Sequence, residues 1–399
     1  MRVILFDPLS DGHHVSYASH IISHLVERDD DVTFVAWQPD ESLDSLLESV
    51  SPLTVEYVKK SSRPRFGGGT LTRSIRLTQG IQHSFKLAIS QRADVVHHLY
   101  IDRSEVPLYL QMRKMQTPSW RLFGTLFWPY FIHGPDDHVL SPKRLYHAAN
   151  CRAMRELFRK RQLTALFVHT ERIKAMALGA YGNESLRDRI VVVPDPVVPL
   201  EGCVTQKEAR ARLGLPQGRP TFLFFGGLRW DKGPDILLEA LQWLDGDWSA
   251  IVAGAPAPFG EADVEQYRER LRDPGRLIAR LGHIRDEDMN DYFAAADAVV
   301  LPYRRSFKGT SGVLQRAAGA GKVVIACDVG EIGRIVRENR LGIVVEPESP
   351  ESLAEGMRMF LAQRETLSEE VRSWAADYSR ANHWHTLAEK VRAAYVGCP

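Results

Sequence analysis

The chain opens on a compact apolar run, Arg2 to Phe6 (RVILF), breaks at Asp7-Pro8 and Asp11-Gly12, and then becomes periodic. Val15, Ala18, Ile21, Ile22, Leu25 and Val26 recur at steps of three and four, which predicts a helix with one buried face. Val32 to Trp37 reads as the next strand. The same grammar continues through Asp94-Val95-Val96, Arg121-Leu122-Phe123, Ala165 to Val168 and Ile190 to Val193. Runs this apolar, without alternation, predict a parallel sheet covered by helices on both faces. Ser61 to Ile75, with Arg63, Arg65 and Gly67-Gly68-Gly69, reads as a mobile loop.

Proline punctuation at Pro194-Asp195-Pro196 and Pro199 to Gly202 marks a hinge-like connection, and the pattern then starts again. Thr221 to Phe225 is a predicted strand, Pro234 to Leu244 a helix, Ser249 to Ala253 a strand and Asp286 to Ala296 a helix with Asp286 as N-cap. Ala298 to Leu301, Lys322 to Ala326 and Gly342 to Val345 are later strands. The amphipathic stretch from about Trp374 to Tyr395 has no strand after it and is expected to dock back across the domain boundary. The predicted fold class is therefore α/β, with two Rossmann-like doubly wound domains. The expected boundaries are 1–195, a connection at 196–204, a second domain at 205–372 and a returning helical segment at 373–399.

Composition narrows the function classes. Apolar residues at 44% and charged residues at 25% describe a globular chain, and 51 Lys and Arg against 50 Asp and Glu leave no field that favours nucleic acid. Cys151, Cys203, Cys327 and Cys398 lack metal-like or redox-like spacing, which suits reduced thiols and a cytoplasmic setting. A run of about 18 apolar residues is absent, so no membrane span is expected. The interleaving of Arg152, Arg155, Arg159, Lys160 and Arg161 with Met154, Leu157 and Phe158 suits either a solvated helix face or peripheral contact with anionic lipid.

Two segments carry candidate chemistry. In Phe224 to Pro234 a strand ends in Gly226 and Gly227, the cations Arg229 and Lys232 follow, and a helix opens at a proline. Helix-start N–H groups and fixed positive charge suit a phosphate. Lys308-Gly309-Thr310-Ser311-Gly312-Val313 likewise lies between a strand and a helix, with small residues for close backbone approach and hydroxyl donors. Both follow carboxyl ends of strands, where doubly wound sheets bind ligands. A solvated turn and an ordinary Ser311 N-cap are the plain alternatives.

FGGLRWDKGPDILLEAL from Phe225, LGHIRDEDMNDYFAAADAVVLPY from Leu281 and GKVVIACDVGEIGRIV from Gly321 resemble the family 4 retaining glycosyltransferases of GT-B fold. The resemblance covers most of Thr221 to Leu361 and is weaker over Met1 to Val193. It implies two domains facing a central cleft and transfer from a nucleotide-diphosphate sugar without a metal or other cofactor. Arg229 and Lys232 would grip the diphosphate, Gly282, His283 and Ile284 would lie near the base, and Gly309 to Val313 would donate to phosphate. Asp328 and Gly330 fall in the family's following turn. Gly12, His13, His14 and Tyr17 would contact acceptor or sugar. His133 is a further catalytic candidate, although the family's usual histidine aligns nearer Phe127. The aromatic run Trp120, Phe123, Phe127, Trp128, Tyr130 and Phe131 suits an acceptor pocket or core packing. His97, His98 and His169 read as satisfied strand-end histidines.

Departures from the family pattern are specific. Two glutamates expected around the second phosphate loop are replaced by Lys308 and Arg316, and an arginine expected before Arg229 is Gly227. The carboxylate replacements suggest either cations recruited to the donor or loss of activity. The expected partners are a nucleotide sugar and an acceptor that is a glycan, a lipid-linked sugar or a small molecule. A noncatalytic nucleotide-sugar or glycan-binding protein and an enzyme using a sugar phosphate are the rivals.

Overall fold

The computed structural model describes residues 1–8, 13–37, 53–58, 70–115, 117–127, 142–200, 202 and 204–397. The chain divides into two compact units, Met1–Asp195 with Trp384–Pro399, and Pro196–His383.

The first unit holds a seven-stranded sheet in the order β3-β2-β1-β4-β5-β6-β7. Its strands are β1 (Arg2–Phe6), β2 (Asp31–Ala36), β3 (Thr54–Tyr57), β4 (Val95–His98), β5 (Arg121–Thr125), β6 (Ala165–Val168) and β7 (Ile190–Val192). Every recorded pairing is parallel, as in Val3 against Val32 on one side and Val95 on the other. The core gathers Ile4, Phe6, Val96, Leu122 and Leu166 with Ile81, Phe85, Met154 and Leu157 from covering helices. Thr70–Ser90 is helical, so the loop expected over 61–75 ends by Thr70; residues 61–69 lie outside the described set. On that helix Gly80 lies over β1, where a Cβ would stand 2.3 Å from Phe6 Cζ.

The second unit repeats the plan with six strands in the order β10-β9-β8-β11-β12-β13. These are β8 (Thr221–Phe225), β9 (Ser249–Gly254), β10 (Leu277–Leu281), β11 (Ala298–Leu301), β12 (Val323–Cys327) and β13 (Gly342–Val345), again paired in parallel. In this order the sheet changes direction between β8 and β11, which creates a crevice beyond their carboxyl ends. Helix Asp286–Ala295 begins at Asp286, and Arg285 with φ −66° and ψ 149° takes the cap position expected of Asp286.

The last helices differ from the single returning segment expected. Arg364–Ala381 belongs to the second unit, and the chain rejoins the first only with Trp384–Gly397, which packs on helix His13–Glu27. There Tyr395 Oη lies 2.5 Å from His97 Nδ1, and Arg392 bonds the buried Asp30 carboxylate at 2.7 Å.

Candidate functional site

Strand β8 is buried along its whole length and delivers Gly226 and Gly227 to the crevice between β8 and β11. The following Leu228 is fully buried and its N–H donates to Ala255 O at 2.9 Å, so the next residues are thrown outward as a 3-10 turn, Trp230–Lys232. Gly233 ends that turn in the left-handed region, φ +63°, and Pro234 opens helix Pro234–Leu241. A Cβ on Gly233 would lie 2.1 Å from Pro302 O, so only glycine allows the turn after β8 to press on the segment after β11.

That contact joins the two segments picked out in the sequence. Lys232 folds back over Gly226, where a Cβ would lie 2.6 Å from its Nζ and 3.9 Å from Val313 Cγ2. Lys232 Nζ also stands 5.7 Å from the ring of Tyr303, whose hydroxyl is 3.3 Å from Ser311 Oγ. Ser311 caps helix Gly312–Gly319, the plain alternative named for it, its Oγ accepting from Leu314 N at 3.4 Å. An ammonium, a glycine without a side chain and a helix start therefore meet at one point. Such an arrangement favours an anion.

Arg229 is placed differently. Its guanidinium is already held by Asp231, with Nε to Oδ1 at 2.9 Å and Nη2 to Oδ2 at 2.5 Å. The turn is braced from below by Arg304, which bonds both oxygens of Asp235 at 3.0 and 2.5 Å, donates to Trp230 O at 2.6 Å and stacks 3.5 Å from the Trp230 ring. Sequence reasoning missed Arg304 and Asp235, because a pair 69 residues apart leaves no local pattern.

Three neighbouring strands end in glycines of positive φ, Gly226 at 105°, Gly254 at 140° and Gly282 at 140°. A Cβ on Gly254 would lie 2.1 Å from Gly226 O, and Gly282 N donates to Gly254 O at 3.0 Å. They make a shelf of bare backbone beside the anion point. His283 is exposed and Ile284 half-buried just beyond it. Lys308 is half-buried in a loop seated on Gly330, from whose Cβ position Phe307 O and Gly309 O would be 3.1 and 3.3 Å away. Thr310 and Arg316 are half-buried and Gly312 exposed.

In the first unit the structure brings the predicted residues together less fully. Gly12 and His133 lie outside the described residues, as do Trp128, Tyr130 and Phe131; His13 and His14 start helix His13–Glu27 and are described by backbone alone. Tyr17, expected at acceptor or sugar, is 2% exposed, with ring centroids 5.0 Å from Phe127, 6.0 Å from His169 and 6.2 Å from Trp384. Burial pushes its phenol pKa up. Its ring is part of the packing, so direct ligand contact has no support here. His97 is bonded to Tyr395 and, at 2.9 Å, to Thr125 Oγ1; His98 lies 3.1 Å from Ser84 Oγ. Burial lowers both, His98 to about 3, so they are neutral core groups.

On helix Pro142–Arg159, Met154, Leu157 and Phe158 are buried, Arg155 donates to Ala180 O at 2.8 Å and Arg159 pairs with Glu156 at 2.6 Å. Among the described residues no helix is long and apolar enough to cross a membrane, and no group of three or more His, Cys, Asp and Glu is placed to hold a metal.

Residues 219–363 match the family model described as Glycosyl transferases group 1. D-inositol 3-phosphate glycosyltransferase of Geodermatophilus obscurus is 31% identical over 219 residues, 52% of this chain and 47% of that protein. Its counterpart in Xylanimonas cellulosilytica is 30% identical over 290 residues, 67% and 64% of the two chains. The chain spans about half the length of most of the curated relatives it matches. Anabaena Alr3699/HepE in complex with UDP superposes with a TM-score of 0.72 at 16% identity, over 99% of this chain and 100% of that one. WaaG, a glycosyltransferase of lipopolysaccharide biosynthesis, gives 0.70 at 18%, over 100% of each. The two parallel-sheet units are thus of the GT-B fold.

Proposed function

We propose that this chain is a group 1 glycosyltransferase that moves a sugar from a nucleotide-diphosphate donor to an acceptor hydroxyl, with retention of anomeric configuration. The observation that carries the reading is the meeting of Lys232, Gly226 and the Ser311-capped helix at the point where the sheet order reverses. The family match over 219–363 contains every residue of that point.

In this reading the donor diphosphate lies on Gly226, with Lys232 and the first N–H groups of helix Gly312–Gly319 as its charge partners. The glycines at 226, 254 and 282 let the nucleoside approach the backbone, near His283 and Ile284. As the bond from sugar to diphosphate breaks, negative charge grows on the leaving phosphate, and fixed donors that need no rearrangement stabilise it. Arg229 joins only by exchanging Asp231 for phosphate. No divalent metal is assigned a role. Retention is supported by the sequence resemblance to retaining enzymes, and an acceptor or sugar role for Gly12, His13 and His14 and a catalytic role for His133 rest on the same resemblance.

Calorimetric titration with UDP, GDP and ADP tests the donor site, followed by assay of nucleotide release from the corresponding hexose donors. Binding of one diphosphate and its loss in Lys232→Ala are expected. Absence of binding to all three would overturn the proposal. Binding without nucleotide release across an acceptor panel would favour the noncatalytic reading, which the replacement of two expected glutamates by Lys308 and Arg316 keeps in view.

A further inference from the structure

The second unit has a further cavity at the amino-terminal ends of its strands. About 270 Å³ in volume, it lies between the turn leading from helix Pro234–Leu241 into β9 and the turn leading from helix Glu261–Arg268 into β10. Because the strands run parallel, the starts of β9 and β10 lie at the opposite end of the strands from Gly226 and Ser311. The phosphate chemistry proposed above does not use it.

We infer that this cavity is a second binding site, for a neutral hexose unit of a glycan. Its size falls just short of drug-sized ligand pockets, which begin at roughly 300 Å³, and suits one sugar ring. Trp243 supplies an indole that is 39% exposed. An aromatic face in a polar rim is a surface on which the apolar C–H side of a sugar stacks.

Charge decides the ligand class. Arg272 Nη1 pairs with Asp245 at 3.2 Å and Arg276 Nε with Asp273 at 3.3 Å, so two cations and two anions cancel. A phosphate or carboxylate would have to displace Asp245 or Asp273, and a wholly apolar ligand would strip water from four charged groups. Neighbouring hydroxyls, each both donor and acceptor, can use guanidinium and carboxylate side by side without separating them.

The walls are held in advance of any ligand. Trp248 is 1% exposed, its indole N–H donates to Leu244 O at 3.3 Å, and the Arg276 guanidinium lies 5.3 Å from its ring centroid. Gln242 Nε2 donates to Tyr267 O at 3.0 Å and ties one turn to the neighbouring helix.

Saturation-transfer NMR on the full chain with glucose, galactose, mannose and maltotriose tests the inference, with UDP present throughout. Transfer to at least one sugar is expected, with affinity weakened about tenfold in Trp243→Ala. Arg272→Ala should weaken it as well, and its 94% exposed side chain makes that variant safe for folding. Lys232→Ala should change UDP binding and leave sugar transfer as it was, which keeps this site separable from the donor site. No transfer to any of the four sugars, or equal transfer in both cavity variants, would overturn the assignment.

Discussion

Replacing Lys232 by alanine should weaken nucleoside-diphosphate binding more than replacing Arg229, although both are cations of the same loop. A unit charge about 4 Å from a phosphate oxygen is worth roughly 4 kcal/mol at an effective dielectric of 20, before desolvation. Charged hydrogen bonds contribute about 1.5–3 kcal/mol net. For Lys232, which among the described residues has no carboxylate partner, that becomes a loss of roughly 10- to 100-fold in Kd. Arg229 starts from a different ground state: Asp231 holds it at 2.9 and 2.5 Å with its side chain 49% exposed. Exchanging one anion for another in that setting gains about 0–1 kcal/mol, under about fivefold. Asp231→Asn should release the guanidinium and tighten binding a few-fold. Calorimetry with UDP at fixed ionic strength measures all three, and thermal unfolding checks each fold. A larger loss in Arg229→Ala than in Lys232→Ala, or weaker binding in Asp231→Asn, would refute the reasoning.

Gly254→Ala should destabilise the second unit by about 2–4 kcal/mol, from a φ of +140° and a Cβ 2.1 Å from Gly226 O; an unchanged unfolding midpoint would contradict it. Lys308→Glu with Arg316→Glu should weaken donor binding with the fold intact if both cations serve the donor, and faster turnover in the double variant would sink that role. Glu105 is pushed up to about 8, first by burial and then by Asp102. Its folded form therefore holds a proton that the unfolded form has released above about 4.5, and stability of the first unit should fall as pH rises from about 4.5 to about 8. Glu105→Gln should flatten that slope, measured by denaturant unfolding across this window.

The central strands were readable because burial on both faces wrote them as unbroken apolar runs. Two of the four edge strands were not: β3 (TVEY) has only Val55 and Tyr57 as apolar residues, and Arg280 interrupts the apolar run of β10 (LIARL). Helix Thr70–Ser90 did leave a stripe, Leu77, Ile81, Phe85 and Ala88, but Gly80 and the polar residues around it masked the period. At the candidate site the glycine after β8, the lysine and the capping serine were legible, since each is a local backbone requirement. The pairing of Arg229 with Asp231 and the support from Arg304 and Asp235 depend on side-chain directions that spacing does not encode.

The return of the last helix sets an order of events at the ribosome. Residues 196–383 form one uninterrupted stretch and can complete their own folding as soon as they emerge. The first unit is synthesised earlier yet must wait, because Tyr395 closes on His97 across 298 residues and Arg392 on Asp30 across 362. Until then its sheet carries an open flank where helix Trp384–Gly397 will sit. A nascent chain stalled before Trp384 would thus present a finished second unit and an unfinished first one, the reverse of the usual vectorial sequence.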